Sequence, residues 1–437
     1  MTPLRPILLA SALIALAFPA ASGPLPQANA QFSKPDMAQV RLGQLLFYDP
    51  ILSGNKTVSC ATCHHPRLAT SDGVSLGLGD GGIGLGPARR SDPDNLPEQR
   101  IPRNAPALFN LGATQFQTLF HDGRLEADDT DPMGFRTPLG ADMEQGFNGV
   151  LSAQTMFPVL SPDEMAGHYS ENDVAQAVRQ GFFTGPNGAW AILSARVAAI
   201  PEYARGFAAL EGTKSPLHFS DISNAIAAFM AFEWRADDSP FDQFLRDGIP
   251  LAPAAALGME LFYGKAGCDA CHAGQFQTDH GFHAIGLPQI GPGKAARFER
   301  HKKDEGRMRV TGAAEDAYRF RTPSLRNVAQ TAPYGHNGAF ADLREMVLHH
   351  LSPEASLRRY TKAQSLLPEL VGAEDFTNLT DKGETDRIAA AIELAPVQLS
   401  EPEIDAILAF LASLSDPVSL KGRLGVPETV PSGLPVE

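Results

Sequence analysis

The chain has 437 residues and carries a formal net charge of −14 at pH 7. A chain of this length predicts two or three domains, and a hydrophobic content of 43% is enough for ordinary buried cores. The acidity argues against a nucleic-acid-binding protein, because such proteins neutralise phosphates with basic side chains. Glycine and proline, at 40 and 35 residues, predict many loops between helices.

The first 30 residues have the features of a secretory signal peptide. Arg5 supplies the positive charge, and residues 7–18 form an apolar segment that is too short for a comfortable membrane span. The sequence A-N-A at residues 28–30 fits a cleavage site, with cleavage near Ala21 as the alternative. No later segment is apolar enough to cross a bilayer, so we expect an exported protein without a membrane span.

Two motifs of the form C-x-x-C-H contain all four cysteines of the chain. This spacing is the attachment signature of c-type haem. Two thiols bond to the two vinyl groups of one haem, and the next histidine reaches the iron as its proximal ligand. The sequence therefore predicts two covalently bound haems. Their expected attachment residues are Cys60, Cys63, Cys268 and Cys271, and their expected proximal ligands are His64 and His272.

Two other interpretations of the cysteines are less favoured. A single zinc site with four cysteine ligands would need a shorter loop, because Cys63 and Cys268 lie about 200 positions apart. Thioredoxin-like redox pairs would need no histidine after each pair. Haem attachment after export indicates a periplasmic protein. The negative charge then suits a basic electron-carrier partner, although it could also serve only solubility.

The segments around the two motifs form an internal repeat. Residues 42–48 and 257–263 share Leu, Gly, Leu, Phe and Tyr in the same order, with helical spacing. Apolar stripes at residues 222–230 and 404–411 predict a closing helix in each half, with starts near Ser220 and Ser400. This order is the plan of a class I cytochrome c domain. We predict an all-α fold with two such domains, at residues 31–238 and 239–437.

Three segments have no clear period. Residues 71–106 are rich in glycine, proline and arginine, and we interpret them as a flexible insertion. Their Gly79–Gly84 run does not follow a strand, so it does not indicate a nucleotide-binding loop. Residues 128–148 form a second insertion. The proline-rich tail at residues 418–437 should either wrap on the surface or be mobile.

The ligand on the far face of each haem decides whether the iron transfers electrons or binds oxygen species. Candidates for the second haem lie in residues 331–338 and in a predicted helix that ends with His349 and His350. Spacing alone leaves two interpretations of these histidines, because a histidine near a helix C-terminus is commonly a surface residue.

The sequence resembles the bacterial di-haem cytochrome c peroxidases and MauG, the di-haem enzyme that matures methylamine dehydrogenase. The resemblance covers nearly the whole mature chain. Besides the two haem motifs, it rests on these segments: Arg103-Asn104-Ala105-Pro106, Asp122-Gly123-Arg124, Ser161-Pro162-Asp163-Glu164-Met165, Pro323-Ser324-Leu325-Arg326-Asn327 and Thr331-Ala332-Pro333-Tyr334-Gly335-His336.

The resemblance implies that the N-terminal haem is peroxidatic and that the C-terminal haem handles electrons. Glu164 falls at the distal-pocket glutamate of the family, and Gln154 and Pro158 fall at two further pocket positions. A calcium ion between the haems is also implied. Its expected ligands are Asn104 and the backbone carbonyl oxygens of Thr331 and Pro333, which are the oxygen donors that calcium prefers.

The resemblance implies that the far ligand of the second haem is His350, at a position where the peroxidases have Met and MauG-type enzymes have Tyr. His349 is the alternative if the register differs by one. Ligation by two histidines should lower the potential of that haem. The chain has no histidine between His65 and Arg103, whereas the peroxidases close the first haem with a loop histidine. The resemblance therefore implies an open, five-coordinate first iron.

His121 occupies the position of a family tryptophan that lies between the haems. It could form a hydrogen-bonding bridge there, or it could be a solvated loop histidine. Glu164 also has two interpretations, since residues 161–164 read as a helix start with a capping serine. As an acid/base group, Glu164 would move a proton between the two peroxide oxygens.

Three functions remain open. The first is reduction of hydrogen peroxide with electrons from a small cytochrome c or copper protein. The second is MauG-like oxidation of a Trp or Tyr on a partner protein. The third is a non-enzymatic di-haem electron carrier. We favour peroxide reduction slightly over the second function, because both use peroxide. Family members are often dimers, so a homodimer is a candidate assembly.

Overall fold

The computed structural model describes residues 24–28, 30–168, 170–210, 216–295 and 299–437. Most of the expected signal peptide therefore lies outside the described residues. Over these ranges, none of the helices has both the length and the apolar character needed to cross a membrane.

The described chain is rich in helices, as the sequence predicts. The helices are α1 Met37–Tyr48, α2 Cys60–Cys63, α3 Val150–Thr155, α4 Asp173–Arg179, α5 Ala189–Ala198, α6 Pro201–Ala208, α7 Phe219–Glu233, α8 Pro240–Asp247, α9 Pro253–Phe262, α10 Met308–Thr311, α11 Leu343–Leu351, α12 Pro353–Arg359, α13 Thr377–Thr380, α14 Lys382–Ala391, α15 Glu401–Ala412 and α16 Pro417–Lys421. Many of these are short, which fits the frequent glycine and proline residues.

Within the described residues, seven very short strands pair only in antiparallel fashion, and they were not predicted from the sequence. β1 Gly82–Ile83 pairs with β2 Arg90–Ser91, and β6 Phe282–His283 pairs with β7 Phe320–Arg321. A three-stranded sheet has the order β3 Thr118–Leu119, β4 Leu125–Ala127 and β5 Phe135–Arg136. These strand pairs stabilise loops and do not form a core of their own.

The internal repeat forms two crossed helix pairs, α1 with α7 and α9 with α15. A glycine lies at each crossing. A Cβ atom on Gly43 would lie 1.8 Å from the Ala225 carbonyl oxygen, and one on Gly258 would lie 1.8 Å from the Ala406 carbonyl oxygen. Only glycine allows the two backbones to approach this closely. The shared glycine of the repeat is therefore a packing residue.

The aromatic residues of the repeat pack in the same way in both halves. The ring centroids of Phe47 and Phe229 lie 5.4 Å apart, and those of Phe262 and Phe410 lie 5.1 Å apart. The centroid of Tyr48 lies 6.1 Å from that of Phe229, and the centroid of Tyr263 lies 6.0 Å from that of Phe410. The two halves thus close their helix pairs with equivalent aromatic clusters.

The hydrophobic residues form two main cores, one in each half. The first includes residues between Val40 and Ala236, and the second includes residues between Phe241 and Leu414. The boundary between the two cores falls at the Asp237–Pro240 segment, where the sequence predicts the domain junction. Asp416 from the second half accepts hydrogen bonds from the backbone N–H groups of Asp237 and Asp238, at 3.1 and 3.3 Å.

The proline-rich tail crosses back onto the first half, where Val430 is buried in the first core. The Glu233 carboxylate accepts hydrogen bonds from the N–H groups of Leu424 and Gly425. The Ser432 hydroxyl donates to Asp49 at 2.6 Å. Of the two predicted alternatives for the tail, wrapping is therefore the correct one, and the tail is anchored by buried polar groups.

Two local predictions need correction. Residues 71–106 are not one uniform insertion, because residues 71–80 are mostly buried and residues 81–106 are mostly partly or fully exposed. The Arg89 guanidinium donates to the carbonyl oxygens of Leu78, Gly79 and Gly84, so a buried cation holds the loop that β1 and β2 close. Helix α7 begins at Phe219 with His218 as its N-cap, one residue before the expected start, whereas Ser400 caps α15 as expected.

Candidate functional site

The two cysteine pairs follow the matching helices α1 and α9 of the internal repeat. Cys60 and Cys63 bound the single turn α2, and Cys268 begins a 3₁₀ turn that ends at Ala270. Cys60 packs against the first core and Cys268 against the second. Within the described residues, the four cysteines do not come together into one metal-binding cluster. This arrangement fits two separate haem attachments and disfavours a single four-cysteine zinc site.

The histidines at the end of the two motifs are held in the same way. Nδ1 of His64 lies 2.9 Å from the Thr70 carbonyl oxygen, and Nδ1 of His272 lies 3.0 Å from that of Gln277. Because a carbonyl oxygen only accepts, each Nδ1 carries the proton and each Nε2 keeps its lone pair. Burial lowers the pKa of His64, and it lowers that of His272 to about 4. Both rings are therefore neutral and able to bind iron.

His350 faces His272, with ring centroids 6.2 Å apart. Two imidazoles on opposite faces of one iron, each nitrogen about 2 Å from the metal, have centroids about 6 Å apart. Nδ1 of His350 lies 2.9 Å from the Met346 carbonyl oxygen, so its Nε2 is also left with a lone pair. The observed pair therefore fits a haem iron held between two histidines.

His349, the alternative ligand, is oriented differently. Its Nε2 lies 2.8 Å from the Ile285 carbonyl oxygen, so this nitrogen donates its proton and has no lone pair for a metal. The ring packs against Phe340 with centroids 5.0 Å apart. Of the two histidines, the structure thus brings only His350 to His272.

The predicted distal residues of the first haem lie on three consecutive short elements. Gln154 is near the end of α3, Pro158 begins a 3₁₀ turn, and Glu164 lies in a π-helical turn at Pro162–Ala166. The serine side chain at position 161 forms no cap, but its carbonyl oxygen accepts from the N–H of Glu164 at 3.2 Å. The predicted helical turn at residues 161–164 is therefore present, but the Ser161 side chain does not cap it.

The backbone of the Glu164 turn is held from behind by hydrogen bonds to three successive carbonyl oxygens. Asp80 N–H donates to the Glu164 oxygen at 2.9 Å, and Gly54 N–H donates to the Met165 oxygen at 2.7 Å. The Asn172 amide donates to the Ala166 oxygen at 3.0 Å. These bonds hold the turn through its backbone, while the Glu164 carboxylate accepts a hydrogen bond from the Ser161 side chain.

The glycine-rich run also contributes to this turn. A Cβ atom on Gly79 would lie 2.2 Å from the Asp163 carbonyl oxygen and 2.7 Å from the Glu164 Cα atom. The run therefore needs glycine because it lies directly against the turn that carries Glu164. No local pattern in the sequence indicated this contact.

The electrostatic environment of Glu164 includes a lysine from the other half of the chain. Burial raises the pKa of Glu164, while Lys294 and then Arg124 oppose that increase. Burial lowers the pKa of Lys294 to about 8, helped by the positive charges of Arg124 and Arg103. Sequence analysis missed Lys294, because no local pattern links a loop of the second half to a pocket of the first.

Buried ion pairs connect the two halves beside this pocket. Arg103 contacts Asp122 and, across the junction, Asp304, both at 2.7 Å. Arg124 contacts Asp122 at 3.0 Å. Burial alone would raise the pKa of Asp122, but the two arginines hold it at about 2. The motif residues Arg103, Asp122 and Arg124 therefore form one charged network.

His121 lies at the same junction, which disfavours a solvated loop histidine. Its Nε2 lies 3.2 Å from the Asn104 carbonyl oxygen, and its own carbonyl oxygen accepts from the N–H of Arg321 at 2.8 Å. Burial, followed by the charge of Arg103, lowers the pKa of His121 to about 4. His121 is therefore a neutral hydrogen-bonding link between the halves.

Asn104 lies next to the segment that carries the other predicted calcium ligands. Its N–H donates to the His336 carbonyl oxygen at 2.9 Å, and its side-chain amide donates to the carbonyl oxygens of Val74 and Ser75. The amide nitrogen is thus occupied, which leaves the side-chain oxygen as a donor for a cation. Thr331 and Pro333 precede His336 in the same loop.

The two halves are rich in helices and have matching helix crossings. Each half also carries a cysteine pair followed by a neutral histidine. These features define a di-haem protein of cytochrome type. A model of the di-haem cytochrome c peroxidase family matches residues 37–248. The methylamine utilization protein MauG of Paracoccus denitrificans is 30% identical over 414 residues, which cover 87% of this chain and 89% of MauG. The chain belongs to the di-haem cytochrome c peroxidase family.

Two further relatives support this assignment. The cytochrome c551 peroxidase of Pseudomonas aeruginosa is 30% identical over 311 residues, which cover 71% of this chain and 70% of the relative. The solved structure of a MauG-like protein associated with microbial copper homeostasis aligns with a TM-score of 0.58 at 26% identity, covering 93% of this chain and 96% of that one. The family prediction is confirmed, and the chain is a peroxide-dependent oxidoreductase with two haem cofactors.

Proposed function

We propose that this protein reduces hydrogen peroxide at a five-coordinate haem in its first half, residues 31–238. This haem is covalently bound to Cys60 and Cys63, with His64 as its proximal ligand. The second haem, in residues 239–437, is bound to Cys268 and Cys271 and lies between His272 and His350. The observation that carries the proposal is the contrast between the two sites. The second has an opposing histidine, whereas the first has Glu164 on a fixed turn.

A haem held by Cys60, Cys63 and His64 would supply an iron that binds peroxide and would supply electrons for cleavage of the O–O bond. The role of Glu164 is to move a proton. Its carboxylate accepts the proton from one peroxide oxygen and returns it to the other, so that water can leave. Burial supports this role, because it raises the pKa of Glu164 towards the pH at which a carboxyl group can both accept and donate.

Gln154 and Pro158 shape the pocket beside Glu164, and His121 links the halves between the two haem sites. A calcium ion held by Asn104 and the carbonyl oxygens of Thr331 and Pro333 stabilises this junction. Electrons enter at the second haem from a small cytochrome c or copper protein in the periplasm, to which the signal peptide directs the chain. The net charge of −14 favours a basic donor.

The test uses the as-isolated ferric holoprotein without pre-reduction. Peroxide and a reduced small cytochrome c are added, and oxidation of the cytochrome is followed. Rapid turnover is expected, because the segment between His65 and Arg103 contains no histidine that would have to leave the first iron before reaction. If peroxide leaves the haem spectrum unchanged, both irons are closed. The protein would then be a di-haem electron carrier and the proposal would be wrong.

The second candidate is peroxide-dependent oxidation of a Trp or Tyr on a partner protein. The observation in its favour is the 30% identity to MauG over most of both chains. In the same experiment, this function predicts that peroxide changes the haem spectrum while the small cytochrome is oxidised poorly. Covalent modification of a candidate partner, detected by mass spectrometry after addition of peroxide, would then replace the first proposal.

A further inference from the structure

Arg321 is half-buried and, unlike the buried Arg100 and Arg326, has no acidic partner. Arg100 pairs with Asp375, and Arg326 pairs with Asp242, at N–O distances of 2.9 and 2.6 Å. Arg321 donates only to carbonyl oxygens, those of Phe120 and Thr322, both at 3.3 Å. Within the described residues, no carboxylate forms an ion pair with it.

The partial burial of Arg321 affects its charge. Burial lowers the pKa of its guanidinium to about 10, and no neighbouring acid offsets this effect. A buried cation without an anion costs free energy, whereas pairing with an anion recovers much of it. The two carbonyl contacts are long for hydrogen bonds to a charged donor. The guanidinium therefore has unused capacity for an anion.

His280 adds a second orphan group at the same place. Neither Nδ1 nor Nε2 of its buried ring has a hydrogen-bond partner, and the ring packs edge-on against Phe116 at 4.8 Å. The charge of Arg321 contributes to lowering the pKa of His280, after burial. A neutral imidazole always carries one N–H donor. His280 can therefore donate to the same anion as Arg321.

The backbone brings these two residues together next to the second haem motif. β6 and β7 pair Phe282 with Arg321, and the Thr322 N–H donates to the Gly281 carbonyl oxygen at 2.9 Å. The N–H of Asp279 donates to the Cys271 carbonyl oxygen at 2.8 Å. The segment with His280 is thus tied both to the strand of Arg321 and to the turn that attaches the haem.

We propose that Arg321 and His280 form a binding site for a carboxylate at the junction of the two halves. The favoured occupant is a propionate of the second haem, since that haem carries two carboxylates and the Arg321 N–H donates to the carbonyl oxygen of His121, which the proposed function puts between the haem sites. A small free carboxylate is the other possible source of the same chemistry. This inference rests on the haem assignment of the proposed function, but it does not depend on peroxidase turnover.

The test measures the midpoint potential of the low-spin haem in the holoprotein, by spectroelectrochemistry without peroxide. Loss of a nearby positive charge favours the ferric state. R321Q should therefore lower the potential relative to the wild type, and R321K should restore most of it. R319Q is the control, because Arg319 lies two residues away, is partly exposed and already pairs with Glu393. It should change the potential little.

Acetate titration at constant ionic strength distinguishes the two sources. A propionate in the site predicts no response to acetate in either protein. A free carboxylate predicts that acetate shifts the wild-type potential and leaves that of R321Q unchanged. H280L keeps the Arg321 cation, so it should lower the midpoint potential less than R321Q does. It provides the same test if R321Q does not fold. The proposal would be overturned if the potential of R321Q matched that of the wild type and did not respond to acetate. If R321Q does not fold, the same result for H280L would overturn it. Turnover can remain normal in that outcome, so the proposed function would survive.

Discussion

Replacement of Glu164 by glutamine tests the proton transfer directly. Glutamine has nearly the same shape but cannot accept and return a proton. The three hydrogen bonds that hold the turn involve backbone carbonyl oxygens, so the side-chain exchange leaves them in place. A positioned acid/base group contributes about 10²-fold or more to a rate, which corresponds to about 2.7 kcal/mol or more of transition-state stabilisation. We expect E164Q to react with peroxide about 10²-fold more slowly.

The assay is stopped-flow absorbance of the haem Soret band after mixing with peroxide. D163N is a matched control, because Asp163 is the adjacent carboxylate on the same turn and accepts a hydrogen bond from Gln99 at 2.7 Å. It removes the same charge from the turn and should retain most of the rate. A near-normal rate for E164Q, or equal losses in both variants, would refute the assignment of Glu164.

The pH dependence provides a second measurement on the same pair of proteins. Burial raises the pKa of Glu164 above its ordinary value. Below that raised pKa the carboxyl group is protonated and cannot accept a proton from peroxide. The wild-type rate should therefore increase with pH through an inflection above the ordinary glutamate range, and E164Q should lack this inflection.

The remaining predictions concern the second haem, the helix crossing and the cation site. H350A should convert one low-spin ferric haem to high spin in the electronic absorption and EPR spectra, whereas H349A should not; an unchanged H350A spectrum would exclude His350 as a ligand. G258A should destabilise the second half by about 1–3 kcal/mol or more, because its Cβ would overlap the Ala406 carbonyl. G149A, a control with open space around the new Cβ, should leave the thermal unfolding temperature nearly unchanged. Removal of calcium with EGTA should lower peroxide turnover, and added calcium, but not magnesium, should restore it; full turnover in a preparation shown by metal analysis to be free of calcium would exclude a functional cation site.

The helix crossings could be predicted from sequence because their signals are local and occur twice. Leu, Gly, Phe and Tyr recur at matching positions before both haem motifs, and the apolar stripes of α7 and α15 have helical spacing. A glycine with a fixed place in such a repeat is best explained by close approach of two backbones. The crossing distances at Gly43 and Gly258 agree with this explanation.

The missed features depend on contacts between distant parts of the chain. Arg89 binds the carbonyl oxygens of Leu78, Gly79 and Gly84, and this holds residues 78–89 together without any hydrophobic period. Lys294 affects Glu164 from the other half, and Glu233 binds the backbone of the tail nearly 200 residues later. Periodicity detects which face of a helix is buried, but it carries no information about such polar long-range contacts.

The hydrogen bonds of the histidine rings supply a distinction that the sequence lacked. His64, His272 and His350 each place Nδ1 against a carbonyl oxygen, which leaves Nε2 with a lone pair. His121 and His349 place Nε2 against a carbonyl oxygen instead, so that Nε2 carries the proton. The three proposed iron ligands thus share one tautomer, whereas His121 and His349 share the opposite one. Neighbouring positions such as 349 and 350 look equivalent in a sequence, but their carbonyl partners prepare only one of them to bind the iron through Nε2.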